Sequence, residues 1–144
     1  MLLAATTAPA MAQTSGGCPA LPAGTGLHWE QQYGGDFLLC KGINEAGEAS
    51  LNIMLTPRDP DLALNRQLRA EKGQFAGEEL LWHRIDNGNA HRPDELRRIS
   101  VVKIDKRRYA QIWINATSTE ELGRLQQLTG QLDPSPVVLA GGTP

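Results

Sequence analysis

The stretch from Arg98 to Leu132 does most to limit what this chain can become. Two apolar-rich runs, Ile99 to Ile104 and Tyr109 to Ala116, flank the polar break Asp105-Lys106-Arg107-Arg108. A short polar break between two β-favouring runs specifies a hairpin. Pairing around that turn sets Ile99 opposite Ile114, Val101 opposite Ile112 and Lys103 opposite Ala110, with Ser100/Trp113, Val102/Gln111 and Ile104/Tyr109 on the other face. Past Asn115, either Thr117 with Glu120 or Ser118 with Glu121 has capping-box spacing, and Leu122, Leu125 and Leu128 then recur on one side of a helix. The expectation is a strand-turn-strand-helix unit whose helix folds back onto the sheet.

Upstream, Asp36 to Ile43 and Ser50 to Thr56 predict a second hairpin around the polar turn Asn44 to Glu48, with Leu51, Ile53 and Leu55 alternating toward a core. Asp59-Pro60-Asp61 has the form of a helix start, with Asp59 as N-cap and Pro60 at the first helical position. The helix expected from there to about Lys72 has a narrow apolar side, Leu64 and Leu68, and Gly73 stands where a C-terminal cap belongs. Glu79 to Asp86 reads as a further strand, with Leu81, His83 and Ile85 on one face and Leu80, Trp82 and Arg84 on the other. Asn87 to Arg97 is a polar loop, long for a simple connection and a functional candidate for that reason. The fold expected is α+β: an antiparallel sheet of about five strands, in the order β-β-α-β-β-β-α, flanked by two helices.

The ends carry different information. Met1 to Ala12 is short, apolar and closes on Ala10-Met11-Ala12, the small-residue pattern of a signal-peptide cleavage site, so residues 1–12 are expected to direct export to the periplasm. It is too short to span a membrane, and no transmembrane segment follows it. Cys18 and Cys40 have neither C-x-x-C spacing nor a histidine at ligand distance, and an export context makes them a structural disulfide that ties residues 13–35 to the first strand. Ser15-Gly16-Gly17-Cys18 also has lipobox character; a lipidated Cys18 would leave Cys40 unpaired. Residues 36–132 form the binding domain and residues 133–144, rich in Pro and Gly, a disordered tail.

Catalytic equipment is not visible in the pattern. The histidines at 28, 83 and 91 form no H-x-x-x-H pair, no G-x-S-x-G elbow occurs, and the acidic pairs Glu78-Glu79, Asp94-Glu95 and Glu120-Glu121 are mere sequence neighbours. His83, alternating with Leu81 and Ile85, reads as a satisfied buried histidine. No metal, cofactor or catalytic residue is assigned. A net charge of -2 and a pI near 5.9 provide no global field for nucleic acid. Charge is nevertheless segregated: Arg84 to Arg108 holds eight basic residues against four acidic ones, whereas residues 1–57 hold one against four. The candidate binding residues are therefore Arg92, Arg97, Arg98, Lys106, Arg107 and Arg108, with Trp82 and Trp113 as aromatic anchors, facing a protein with an acidic surface.

The order strand, strand, helix, strand, strand, strand, helix, with RYAQIWINATSTEEL leading the last strand into the C-terminal helix, resembles PsbP-like α/β/α proteins over Asp36 to Leu132. That resemblance implies a binding or assembly role in place of turnover, and no functional residue is carried across. The profile of size, export and disulfide is also similar to that of bacterial periplasmic immunity proteins. The function expected is a non-enzymatic periplasmic protein-binding module, an immunity or inhibitor protein acting on a toxin, effector or envelope hydrolase. The alternative is an envelope lipid or cell-wall binder, with Trp82, Trp113 and Tyr109 lining a groove beside the basic residues.

Overall fold

The computed structural model describes residues 17–85 and 94–134. Seven strands follow in order: β1 (His28–Tyr33), β2 (Leu38–Ile43), β3 (Ala49–Thr56), β4 (Arg69–Phe75), β5 (Glu78–Ile85), β6 (Asp94–Asp105) and β7 (Arg108–Asn115). A 3-10 turn at Arg66–Leu68 precedes β4, and one helix, α1 (Thr119–Gln131), closes the series. All strands join one antiparallel sheet in the order β1-β2-β3-β7-β6-β5-β4. The described fold is thus seven strands and one helix, correcting the expectation of about five strands and two helices. It remains a mixed α and β architecture.

Each missed strand has a physical cause. β1 is an edge strand in which only Trp29 is half-buried, so it lacks the period-two hydrophobic signal that marks a buried strand. Its ladder to β2 holds it, running without interruption from His28↔Ile43 to Tyr33↔Leu38. β4 stands where a helix was expected. Asp59 Oδ1 accepts from the backbone N–H of Asp61, and Asp61 adopts a left-handed φ of 58°, which turns the chain away from the helical path. Gly73 is no helix cap: a Cβ there would lie 2.7 Å from Nε1 of Trp82, so the strand needs glycine to lie against the indole. Phe75, two residues on, is fully buried.

The central hairpin forms, but one residue out of the expected register. Ile99 pairs with Trp113, Ser100 with Ile112 and Val102 with Ala110, and an irregularity between Lys103 and Asp105 absorbs the shift before Asp105 meets Arg108. A one-residue slip reverses which side chains share a face. Ile112 and Ile114 face the core beside Ser100 and Arg98, while Ile99 and Val101 turn to the opposite face with Trp113 and Gln111.

One face of the sheet carries the core. Leu38 and Cys40 of β2, Leu51, Ile53 and Leu55 of β3, and Ala110, Ile112 and Ile114 of β7 meet Leu122, Leu125 and Leu128 of α1. Each fully buried Leu, Ile or Phe contributes about 1.5–3 kcal/mol relative to exposure, which makes this layer the main source of stability. α1 starts at Ser118, whose Oγ accepts from the Glu121 N–H at 3.0 Å, while Glu121 Oε1 accepts from the N–H and hydroxyl of Thr117. Its far end is fastened to the β4–β5 turn, where the Ala76 N–H donates to the carbonyl of Leu132. The Cys18–Cys40 disulfide is formed and brings Pro19, Leu21 and Leu27 against the same layer. Trp29 Nε1 donates to the carbonyl of Pro19 at 2.6 Å.

Candidate functional site

Among the described residues, no helix lies over the opposite face of the sheet. Its middle is crossed instead by the chain leaving β3, because residues 57–68 must pass β7, β6 and β5 to reach the far edge at β4. Between this crossover and the sheet lies a cleft of about 550 Å³. Leu64 and Leu68 form its outer wall; Ile99, Trp113, Gln111 and His83 form its floor, with Arg97 at one side. Its size falls within the roughly 300–1,000 Å³ range of ligand-binding clefts. Ile99 and Trp113 are directly paired across β6 and β7, and both are half-buried, so the floor is apolar yet reachable.

His83 is set rigidly. It is buried to 6% exposure, and Nδ1 lies 3.1 Å from the Leu81 carbonyl, which can only accept; Nδ1 therefore carries a proton. Ser100 Oγ donates to the same carbonyl at 2.7 Å. Nε2 makes no hydrogen bond among the described residues. No carboxylate, thiol or hydroxyl side chain lines this cleft among the described residues.

Register assigns the charges around the cleft. Lys41, Arg69, Lys72, Arg97 and Lys103 stand on the open face, against Glu30 and Glu79. Past the end of that face, Lys106 and Arg107 are exposed at the β6–β7 turn. Asp105 organises the turn: its carboxylate accepts from Arg108 Nε at 2.7 Å and from the Arg107 N–H at 3.0 Å. These contacts, the Arg108 side chain first, hold the Asp105 carboxyl below the usual carboxylate value. From Trp113 to Arg108 is five residues of strand, about 17 Å at the rise of an antiparallel strand. Cleft and turn together thus span more than a small molecule.

The sequence-derived candidates divide sharply. Arg97 and Trp113 come together at the cleft, with Arg97 Nε also donating to Asn115 Oδ1 at 3.0 Å. Lys106, Arg107 and Arg108 share the hairpin turn. Arg92 lies outside the described residues. Trp82 and Arg98 belong to the other face and are corrected accordingly. Trp82 is 1% exposed in the core, so it cannot join Trp113 and Tyr109 in one groove. Arg98, 4% exposed, donates Nε and Nη2 to the two carboxylate oxygens of Glu71 at 2.9 Å each, and its Nη1 donates to the carbonyls of Glu95 and Arg97. Gln126 of α1 donates to the same carboxylate, so this cluster locks β4, β6 and α1 together. The Arg98 hydrogen bond is the main reason that Glu71 has a pKa below its usual value, against the opposing effect of burial. Arg98 is structural because β6 begins at Asp94, within the expected polar loop, and turns alternate side chains inward.

Sequence reasoning missed the crossover wall. Leu64 and Leu68 are four apart, which read as the narrow side of a helix; the same two side chains roof the cleft as an irregular segment. A second hollow, of about 800 Å³, lies on the helix side between residues 22–27, the β2–β3 turn and α1. Glu45, Glu48, Glu121 and Arg124 border it without an aromatic anchor. No group of three or more His, Cys, Asp or Glu side chains suited to a metal occurs among the described residues, nor any helix long and apolar enough to cross a membrane. No family model, curated protein or solved structure matches the chain.

Proposed function

We propose that the protein is an exported, non-enzymatic binding module that docks an acidic protein segment across the open face of its sheet. The observation carrying this reading is the alignment of the Trp113–Ile99 floor, Arg97 and Lys103 with the cationic β6–β7 turn along one pair of strands. An apolar, aromatic centre flanked by cations fits a partner that presents a hydrophobic anchor among carboxylates. The span of about 17 Å argues for an extended peptide or protein surface over a small ligand. The formed disulfide supports an oxidising compartment, and with the Ala10-Met11-Ala12 pattern it supports periplasmic residence. An inhibitor or immunity protein that occupies a toxin, effector or envelope hydrolase has these requirements: a rigid scaffold, a preformed cleft and charge-guided association.

The test is affinity capture from envelope extracts with the mature protein, Trp113→Ala, and the double variant Lys106→Glu/Arg107→Glu. A common partner should be retained by the unaltered protein, lost with Trp113→Ala, and held more weakly and with less salt dependence by the double variant. Equal capture by all three would remove the open face as the docking site.

A further inference from the structure

The two edges of the sheet are treated differently. At the β4 edge the ladder is irregular between Arg69 and Lys72, both side chains are exposed cations, and the strand ends beneath the Leu132 contact of α1. Irregularity, Lys and Arg are the usual means of keeping a sheet edge from pairing with another chain. The β1 edge has none of them. His28–Tyr33 contains no Lys, Arg or Pro, its register with β2 is unbroken over six pairs, and five of its six side chains are exposed. Among the described residues no other strand pairs with its outer edge, and it adds little to the core.

We infer that β1 is the interface of a homodimer in which two copies of the chain pair edge to edge, antiparallel, into one continuous sheet. Residues along a strand point their N–H and C=O groups alternately to either edge, and paired residues must point alike. A two-fold axis between identical antiparallel strands therefore passes through a residue, which leaves two central registers for β1. Centring on Glu30 sets two carboxylates directly opposite one another, an unfavourable pair. Centring on Gln31 sets Gln31 against Gln31, Glu30 against Gln32 and Trp29 against Tyr33, each of the last two pairs occurring twice. Every charge then meets an amide, and Trp29 and Tyr33 meet each other, so the five residues from Trp29 to Tyr33 are complementary to themselves in this register and not in the other.

Such a contact is short, so the dimer is concentration-dependent. A two-fold axis normal to the sheet also keeps both open faces on the same side, which makes the assembly bivalent for its partner. That consequence rests on the proposed docking face; the dimer itself does not.

Sedimentation of the mature protein over a wide concentration range, with circular dichroism as a check on folding, tests the pairing. Unaltered protein should shift from monomer to dimer. Gln31→Lys and Gln31→Glu, each folded, should weaken the dimer by roughly three- to tenfold, because each sets like charges on the axis. An equimolar mixture of the two should restore it as a heterodimer. A protein that stays monomeric throughout, or a dimer indifferent to both substitutions, overturns the inference; partner capture through Trp113 would survive either result.

Discussion

The two faces of this sheet are made from the same strands and have opposite characters. On the helix side, Ile112 is fully buried opposite Ser100; one residue along, on the open side, Trp113 and Ile99 are half-buried beneath an irregular crossover. The helix side even absorbs a charge, because Arg98 finds a bidentate carboxylate and two carbonyls there. On the open side the exposed Lys103 has no such network among the described residues. Satisfied burial on one side and partial, cation-rimmed exposure on the other is the division expected when one face holds the fold and the other meets a partner.

The strongest way to break that contrast is to make one substitution on both sides. Ile112→Ala removes side-chain volume from the closed layer and should cost about 3–5 kcal/mol, whereas Ile99→Ala, at a position already partly hydrated, should cost about 1–2 kcal/mol. Urea unfolding of the two variants measures the difference, and equal losses would show that the open face is as tightly packed as the core. Next in size is the disulfide. Replacing both Cys18 and Cys40 by Ala frees a loop of 22 residues of sequence separation. The expected loss is about 3 kcal/mol by the loop-closure argument, read as a lower urea midpoint that reducing agent reproduces in the unaltered protein.

How far this contrast was legible beforehand depends on what each element needs from its residues. The β2–β3 and β6–β7 hairpins and α1 were readable because their apolar periods, polar turns and cap lie in adjacent residues. β1 and β4 were not, since an edge strand draws on a neighbour's backbone and needs little apolar pattern of its own. The slip between Lys103 and Asp105 had no sequence mark, yet it decided which isoleucines face the core and which face the cleft. Among the candidate binding residues, Arg97 and Arg98 are neighbours of identical local chemistry. Only strand alternation separates an open-face cation from a buried structural one.

The Glu71 cluster sharpens the comparison by pH. Glu71→Gln removes the charge that compensates buried Arg98, but the Glu71 side chain is 43% exposed and screened, so a loss of about 1–2 kcal/mol at neutral pH is expected. Because Arg98 holds the folded pKa of Glu71 below its ordinary 4.5, the carboxylate's contribution is complete above that value and is lost as pH falls through the lower folded one. The stability gap between the two proteins should therefore narrow on acidification. Asp105, whose pKa is shifted the same way by Arg108, is present in both and cancels in the difference. A gap constant from neutral pH to well below 4.5 would show that the ion pair contributes nothing.

The smallest effect on folding should accompany one of the clearest effects on docking. Lys103 is exposed on the open face, paired across the sheet with Tyr109, and lies between the cleft and the β6–β7 turn. Away from packing and hydrogen-bond networks, a surface substitution changes stability by no more than about 0.5 kcal/mol, so Lys103→Glu should unfold at nearly the same urea concentration as the unaltered protein. Its association with an acidic partner should nevertheless slow at low ionic strength, and the two rates should converge as salt screens the reversed charge. The same reversal at Arg124, on the helix side, should leave association unchanged. Stopped-flow rates over a salt series separate these cases. If Arg124→Glu slowed association as much as Lys103→Glu, the attraction would belong to the charge of the whole molecule and not to the open face.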